Sequence, residues 1–332
     1  WGKDQYGNPL PYLDGIRVSF IKDKKSSLLK FRKNELDMMY RIPLEMTNEV
    51  ITENDELKGK YKQYDLQVMP SLTIQYYGFQ HKSDLFANKH LRKAFNYAID
   101  RTEIVDYTLK GTAVPAHNGV VPPALENYDS KAINGYKYNA AKAREHMKQA
   151  GYPNGEGFPE ITLQINSGGG RNEQVAEAIQ KMLQENLNIS MNIKKLSFAQ
   201  HLENLESGKA RFWRAGWIAD YPDPENFLNL FYGPHVPDDL NTRSYINSVR
   251  YQSAEFDSVF QKALKTVDKQ QRNLLYLQAD QIVMDDAAIM PIYYDKDYRL
   301  LQPDVRNFPQ NPMEYRNFRD VYFVPDSDQK SM

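Results

Sequence analysis

The sequence has no cysteine among its 332 residues, which excludes disulfides, thiolate nucleophiles and cysteine-ligated zinc and leaves both reducing and oxidising compartments open. A charge excess of either sign is also missing: 42 Lys and Arg stand against 43 Asp and Glu, a formal net charge of −1. Binding along nucleic acid needs a cationic surplus to neutralise phosphates, so no nucleic-acid partner is expected. The longest apolar stretch, Ala287 to Tyr294, is broken by Pro291 and falls far below the ~20 residues of a membrane span. The six histidines, His81, His90, His117, His146, His201 and His235, never fall four apart, the spacing that sets two imidazoles on one helix face. No metal and no cofactor is expected, and without a Gly-x-Ser-x-Gly elbow a catalytic nucleophile has no sequence handle. The chain opens on Trp1 with neither an initiator Met nor a basic, apolar leader, so an excised piece or a mature form is expected, with any export signal upstream.

What is present reads as an ordinary globular chain of about two domains, with 41% hydrophobic and 26% charged residues. Tyrosine stands out at 23 copies, suited either to the walls of a binding cleft or to half-buried core positions. Ile161, Leu163 and Ile165 alternate as in a half-buried strand. A glycine loop, Gly168 to Gly170, then precedes a helical pattern with Val175, Ile179, Met182 and Leu183 on one face. Ile189, Met191 and Ile193 alternate again, completing a strand-helix-strand unit. Ser197 with Gln200, Asp100 with Glu103, and Asp268 with Gln271 are capping-box signals, and Asn139 precedes an Ala-rich helix. Strands are expected at Phe212 to Trp217, in the opening Ile16, Val18 and Phe20, and in Ile289 to Leu301. Val114 to Pro123 and Gly151 to Pro159, rich in Pro and Gly, read as ordered loops. The residues alone give an α/β or α+β protein.

Two places carry chemistry. Gly168 to Gly170 leads into a helix start beside Arg171 and Asn172, where free backbone N–H groups and a guanidinium suit a phosphate or carboxylate, although a glycine run can equally be only a turn. The densest polar cluster runs from Arg214 to Glu225. Its carboxylates Asp220, Asp223 and Glu225 invite an acid/base reading, yet Asp223 before Pro224 and Glu225 also reads as the cap and acidic first turn of a helix Asn226 to Phe231. Asp220 has no such structural duty and sits just past a strand, where α/β proteins place ligand contacts.

The run Asn88 to Arg101, then Pro122-Pro123, then Ala150-Gly151-Tyr152-Pro153 with Gly157-Phe158-Pro159, then Gly216-Trp217-Ile218-Ala219-Asp220-Tyr221-Pro222-Asp223-Pro224 resembles the extracytoplasmic solute-binding proteins of peptide ABC transporters, bacterial solute-binding protein family 5. Leu10-Pro11-Tyr12-Leu13-Asp14-Gly15 is similar to a stretch well inside that family's chains, so a substantial N-terminal portion is expected to be absent. The resemblance implies an α/β, two-lobed periplasmic-binding-protein-like fold of the large peptide-binding class, its first lobe incomplete. Residues 1–100 and 290–332 are expected in the first lobe and 101–289 in the second, with a ligand held in the cleft between lobes by charge pairing and aromatic contacts.

In the oligopeptide-binding members the aspartate of this motif meets the peptide α-ammonium, which falls on Asp220, and an arginine six residues earlier meets a C-terminal carboxylate, which falls on Arg214. Trp217 belongs to the same motif. A ligand-packing tryptophan of the family is replaced here by Phe198, and a histidine after the earlier strand by Asn172, beside Arg171. The implied partners are a peptide or other small zwitterionic ligand and the membrane permease of an ABC transporter. The implied location is extracytoplasmic, as a periplasmic protein or cell-envelope lipoprotein. Self-association of a truncated chain is a further expectation, since an incomplete lobe leaves sheet edges uncovered. A carboxylate-dependent hydrolase or peptidase, and a truncated sensing or scaffolding member, are the alternatives; the sequence supplies no base, metal or nucleophile for the first.

Overall fold

A computed structural model of the chain describes residues 2–167 and 169–324, so Trp1 and Gly168 of the expectations above lie outside the described residues. By compactness the chain divides into two units, Trp1–Ser71 with Lys296–Met332, and Leu72–Asp295. The chain passes from one to the other inside two long strands, Asp65–Phe79 and Ile289–Leu301. These are units within this chain; the lobe boundaries expected near residues 100 and 290 refer to the whole protein.

In the larger unit, residues 73–79 pair antiparallel with Phe212–Ile218, from Thr73 opposite Ile218 to Phe79 opposite Phe212. Phe212–Ile218 runs parallel to Ile161–Asn166, which runs parallel to Met191–Leu196. The helix Gly170–Leu187 joins those last two strands, so the strand-helix-strand unit forms as expected, with Val175, Ile179, Met182 and Leu183 buried. The helix starts after Gly169, whose φ of 98° only glycine adopts cheaply, and ends where Asn188 takes a left-handed conformation and returns its N–H to Gln184. The capping signals hold in structure. Ser197, Asp100, Asn139 and Asp268 accept from the backbone N–H of Gln200, Glu103, Lys142 and Gln271, each cap contributing about 1 kcal/mol.

The core of this unit is aromatic: Phe79 stacks on Phe212 with ring centroids 5.3 Å apart, and Phe86 and Phe95 close around them. The Asn88 to Arg101 run explains itself here. Asn88 caps the helix Lys89–Ala98, Arg92 donates to the carbonyls of Phe86, Ala287 and Asp286, and the fully buried Arg101 donates to the carbonyls of Pro291 and Asn96 and to the Asn96 side chain. Two buried guanidinium groups thus tie this helix to the chain around residues 286–291.

In the smaller unit the strand Met38–Tyr40 pairs antiparallel with residues 299–301. The helix Lys24–Arg32 packs Leu28 and Phe31 with Met39, Val50, Tyr61 and Tyr298. The expected strand at Ile16, Val18 and Phe20 is a correction: these residues alternate but join no ladder, and the three side chains are 56%, 68% and 96% exposed. Alternation gives a strand only when a neighbouring edge accepts its backbone groups. Among the described residues no helix is long and apolar enough to cross a membrane.

Candidate functional site

Register on the Phe212–Ile218 strand sets out the first group of side chains. Arg214 lies opposite Tyr77 and Gly216 opposite Gln75, so these four share one face of the sheet. The half-buried Arg214 guanidinium donates to Asn166 Oδ1 at 3.0 Å and to Gln75 Oε1. Gln75 in turn donates through Nε2 to Asp295 Oδ2 at 2.7 Å, which turns its amide oxygen toward Arg214. Position 216 must be glycine for this to happen, because a Cβ there would stand 2.6 Å from Gln75 Oε1. Asp295, 1% exposed, forms an ion pair with Arg171 at 3.1 Å, and the Arg171 guanidinium lies 4.9 Å from the centre of the Tyr293 ring. Asn172 reaches Asn166 Oδ1 at a long 3.4 Å.

Three expected residues, Arg171, Asn172 and Arg214, are therefore brought into one hydrogen-bonded group by three that sequence reasoning missed, Gln75, Asn166 and Asp295. Within the group two guanidinium charges meet one carboxylate. Asp295 pairs with Arg171, whereas Arg214 faces neutral amide oxygens, with no ion pair among the described residues. The Arg214 backbone is fixed from behind: its carbonyl is 2.9 Å from Nε2 of the buried His201, whose Nδ1 is 3.0 Å from Gln164 Nε2. An amide nitrogen can only donate, so Nδ1 accepts and Nε2 carries the proton. Burial, helped by the nearby Arg214 charge, lowers the imidazole pKa to about 4 and keeps the ring neutral.

The second group forms where the strand ends. Strand pairing stops at Ile218, so the even spacing from 214 to 220 does not place Asp220 on the Arg214 face by alternation. Trp217 lies on the other face. Asn226 holds this corner, its Oδ1 accepting from Trp217 Nε1 at 2.8 Å and from the Asp220 N–H at 3.2 Å. The Asp220 carboxylate is exposed, touched only by Asn226 Nδ2 at 3.5 Å, and forms no ion pair among the described residues. Its neighbours are committed elsewhere. Asp223 accepts from the Glu225 N–H at 3.0 Å and from Arg272 at 2.8 Å, and Glu225 accepts from the Tyr221 hydroxyl. The helix after Pro224 is Glu225–Leu228, continued as a 3-10 turn Asn229–Phe231; its N-cap position is Pro224 rather than the expected Asp223, which lies one residue earlier and accepts from the Glu225 N–H. Phe198, 58% exposed, opens the helix Phe198–Glu206 that also carries His201. Among the described residues no group of three or more His, Asp or Glu is placed to hold a metal ion.

The missed residues had weak signals. Asn166 is the polar end of the predicted strand that starts at Ile161, the end from which parallel strands present ligand groups. Gln75 continues the polar alternation of Ser71 and Thr73 in the buried part of its strand. Asp295 lies 220 residues from Gln75, beyond any local pattern.

A model for "Bacterial extracellular solute-binding proteins, family 5 Middle" matches residues 2–237. Among curated relatives, the dipeptide-binding protein DppE of Bacillus subtilis is 25% identical over 323 residues, 95% of this chain and 54% of its own length. The periplasmic oligopeptide-binding protein OppA of Escherichia coli is 26% identical over 325 residues, 96% of this chain and 56% of its own. Among solved structures, the periplasmic binding protein DppA from Helicobacter pylori, in complex with the peptide STSA, matches at a TM-score of 0.77 and 26% identity, over 91% of this chain and 56% of that one. AppA from Bacillus subtilis in complex with a nonapeptide matches at a TM-score of 0.75 and 21% identity, over 92% of this chain and 59% of that one, a likeness of fold. The chain spans little more than half the length of these relatives.

Proposed function

The chain belongs to the bacterial extracellular solute-binding proteins of family 5, and from that premise we propose that it serves peptide binding for uptake through an ABC transporter. Its partner is a membrane permease and its place is outside the cytoplasm, free or lipid-anchored. In the whole protein residues 1–100 and 290–332 belong to the first lobe and 101–289 to the second. Family members are binding proteins, and the chain is read as one that performs no chemistry. Asp223 and Glu225, which a hydrolase would need free, are engaged by Arg272 and Tyr221.

The observation that carries this reading is that, among the described residues, Arg214 meets neutral amide oxygens and no carboxylate while Asp220 stands exposed beyond the same strand with no cation paired to it. A guanidinium offers a planar fork to a carboxylate, and an exposed carboxylate offers a partner to an ammonium group. A short peptide supplies both charges. Asp220 takes the α-ammonium group and Arg214 the carboxylate, with Trp217 and Phe198 as aromatic contacts. Arg171 and Asn172 shape the wall through Asp295 and Asn166. Removing one member of such a pair costs about 2–5 kcal/mol. Calorimetry on the full-length protein should show Asp220→Asn binding peptide roughly 30-fold more weakly and no longer distinguishing free from N-acetylated peptide. Unchanged affinity in that variant, or equal binding of both peptides by the unaltered protein, removes Asp220 from the site.

A further inference from the structure

The loop from Gly151 to Pro159, part of the family-like pattern, has no role in the ligand group around Arg214. It lines an open groove of about 680 Å³ in the larger unit, at the end of the Ile161–Asn166 strand opposite Asn166. That volume is within the ~300–1,000 Å³ of small-molecule sites. Tyr152, Leu85 and Pro159 give it an apolar lining, while Lys194, Lys209 and Arg211 stand exposed around it. Asp84 and Glu160 line it as well, yet none of the three cations forms an ion pair among the described residues. The groove therefore combines an apolar body with a surplus of one positive charge that the protein does not neutralise.

We infer that this groove is a second ligand site, for a small organic anion with a flat apolar body and a single carboxylate. The carboxylate lies among Lys194, Lys209 and Arg211 and the apolar body against Tyr152 and Leu85. Asn204 offers its amide group on the inner wall, backed by the buried Gln164. They are held in order by a chain of bonds, Asn204 Nδ2 to Gln164 Oε1 at 2.7 Å and Gln164 Nε2 to His201, which is 2.9 Å from the Arg214 carbonyl. The groove thus has a prearranged polar wall that ends at the strand carrying Arg214, while its own charged groups are separate from that site.

Indole-3-acetate, benzoate and 3-phenylpropionate are suitable probes, with indole-3-acetamide as the uncharged control. Calorimetry and amide NMR on the chain should show saturable binding of at least one acid below ~1 mM, with shifts at Tyr152, Lys194 and Asn204. The double variant Lys209→Glu/Arg211→Glu, whose two altered side chains are exposed, should lose at least about tenfold, equivalent to 1.4 kcal/mol. Arg214→Gln should leave this binding intact, which separates the groove from the peptide site. The inference fails if none of the three acids saturates, if the amide binds as well as the acid, or if the double variant, shown folded by its thermal midpoint, binds unchanged.

Discussion

At the scale of single residues, Gln75 decides how Arg214 meets the world. Its amide nitrogen is taken by Asp295 and its oxygen by Arg214, so the carboxylate of Asp295 influences Arg214 only through a neutral relay. Gln75→Glu would replace the relay with a second carboxylate. Arg214 would then be paired internally, and the new charge would be driven toward it by repulsion from Asp295. A ligand carboxylate would have to displace that pair, so peptides with a free C-terminus should bind about tenfold or more weakly, roughly 1.4 kcal/mol. The corresponding C-terminal amides should be affected much less. A fluorescence titration with matched acid and amide peptides checks this; equal losses for both would mean that Arg214 does not meet the ligand carboxylate. Legibility at this scale was divided. Arg171 and Asp220 could be picked out because each stands next to a readable helix start or strand end, and Arg214, inside its strand, through the family motif six residues before Asp220. The neutral amides that orient them could not, since an isolated Gln or Asn in a strand carries no local sign of its partner.

At the scale of elements, caps and alternation were readable because both are set by residues within a few positions of one another. Ser197, Asp100, Asn139 and Asp268 each accept from the second or third N–H of their own helix. The same local logic misled at Ile16 to Phe20, where the alternation is present and the partner strand is not. What ties elements together was hidden even inside the recognisable Asn88 to Arg101 run, because Arg92 and Arg101 reach carbonyls 195 and 190 residues away. Arg101 is fully buried with carbonyl and amide oxygens as its partners, so Arg101→Met would leave several acceptors without donors. Hydrogen bonds to a charged group contribute about 1.5–3 kcal/mol each and an unsatisfied buried acceptor costs about 1–3. The variant should lose about 3 kcal/mol or more of stability in urea unfolding, whereas Arg144→Met, on the exposed side of the helix Ala140–Gln149, should stay within ~0.5 kcal/mol. Equal midpoints for the two variants would mean that the buried guanidinium does not hold the helix in place.

At the scale of the whole molecule, buried titratable groups set how stability follows pH, and they act in opposite directions. All six histidines lie in the Leu72–Asp295 unit. Desolvation lowers His81 to about 3 and His201 to about 4, so the unfolded chain binds their protons first. The stability they contribute is complete above their ordinary pKa of 6.5 and is lost as pH falls toward those lower values. Asp280 works the other way. Enclosed with Val120, Val121 and Tyr128 around its oxygens, it is raised by burial to about 6, so the fold keeps a proton that the unfolded chain releases, and stability grows as pH falls through 6. Two protons against one leaves a net uptake of one on unfolding, a loss of about 1.4 kcal/mol per pH unit between roughly pH 6 and 4.5. His117 and His146, also lowered by desolvation, steepen the upper part of that range, and Asp257, raised by burial, offsets part of it. In the other unit, among the described residues, the comparable group is Asp297, raised by burial and by Glu314 beside it, so that unit should gain stability toward mild acid. Urea unfolding read by the fluorescence of Trp213 and Trp217, both in the larger unit, in a Trp1→Phe background that removes the third tryptophan, isolates the first effect. Asp280→Asn removes the opposing proton and should roughly double the slope, to about 2.8 kcal/mol per pH unit, while His201→Gln should bring it close to zero. A slope unchanged by Asp280→Asn would show that this carboxyl is already ionised in the fold at pH 5, and that the bonds from Val120, Val121 and Tyr128 outweigh its burial.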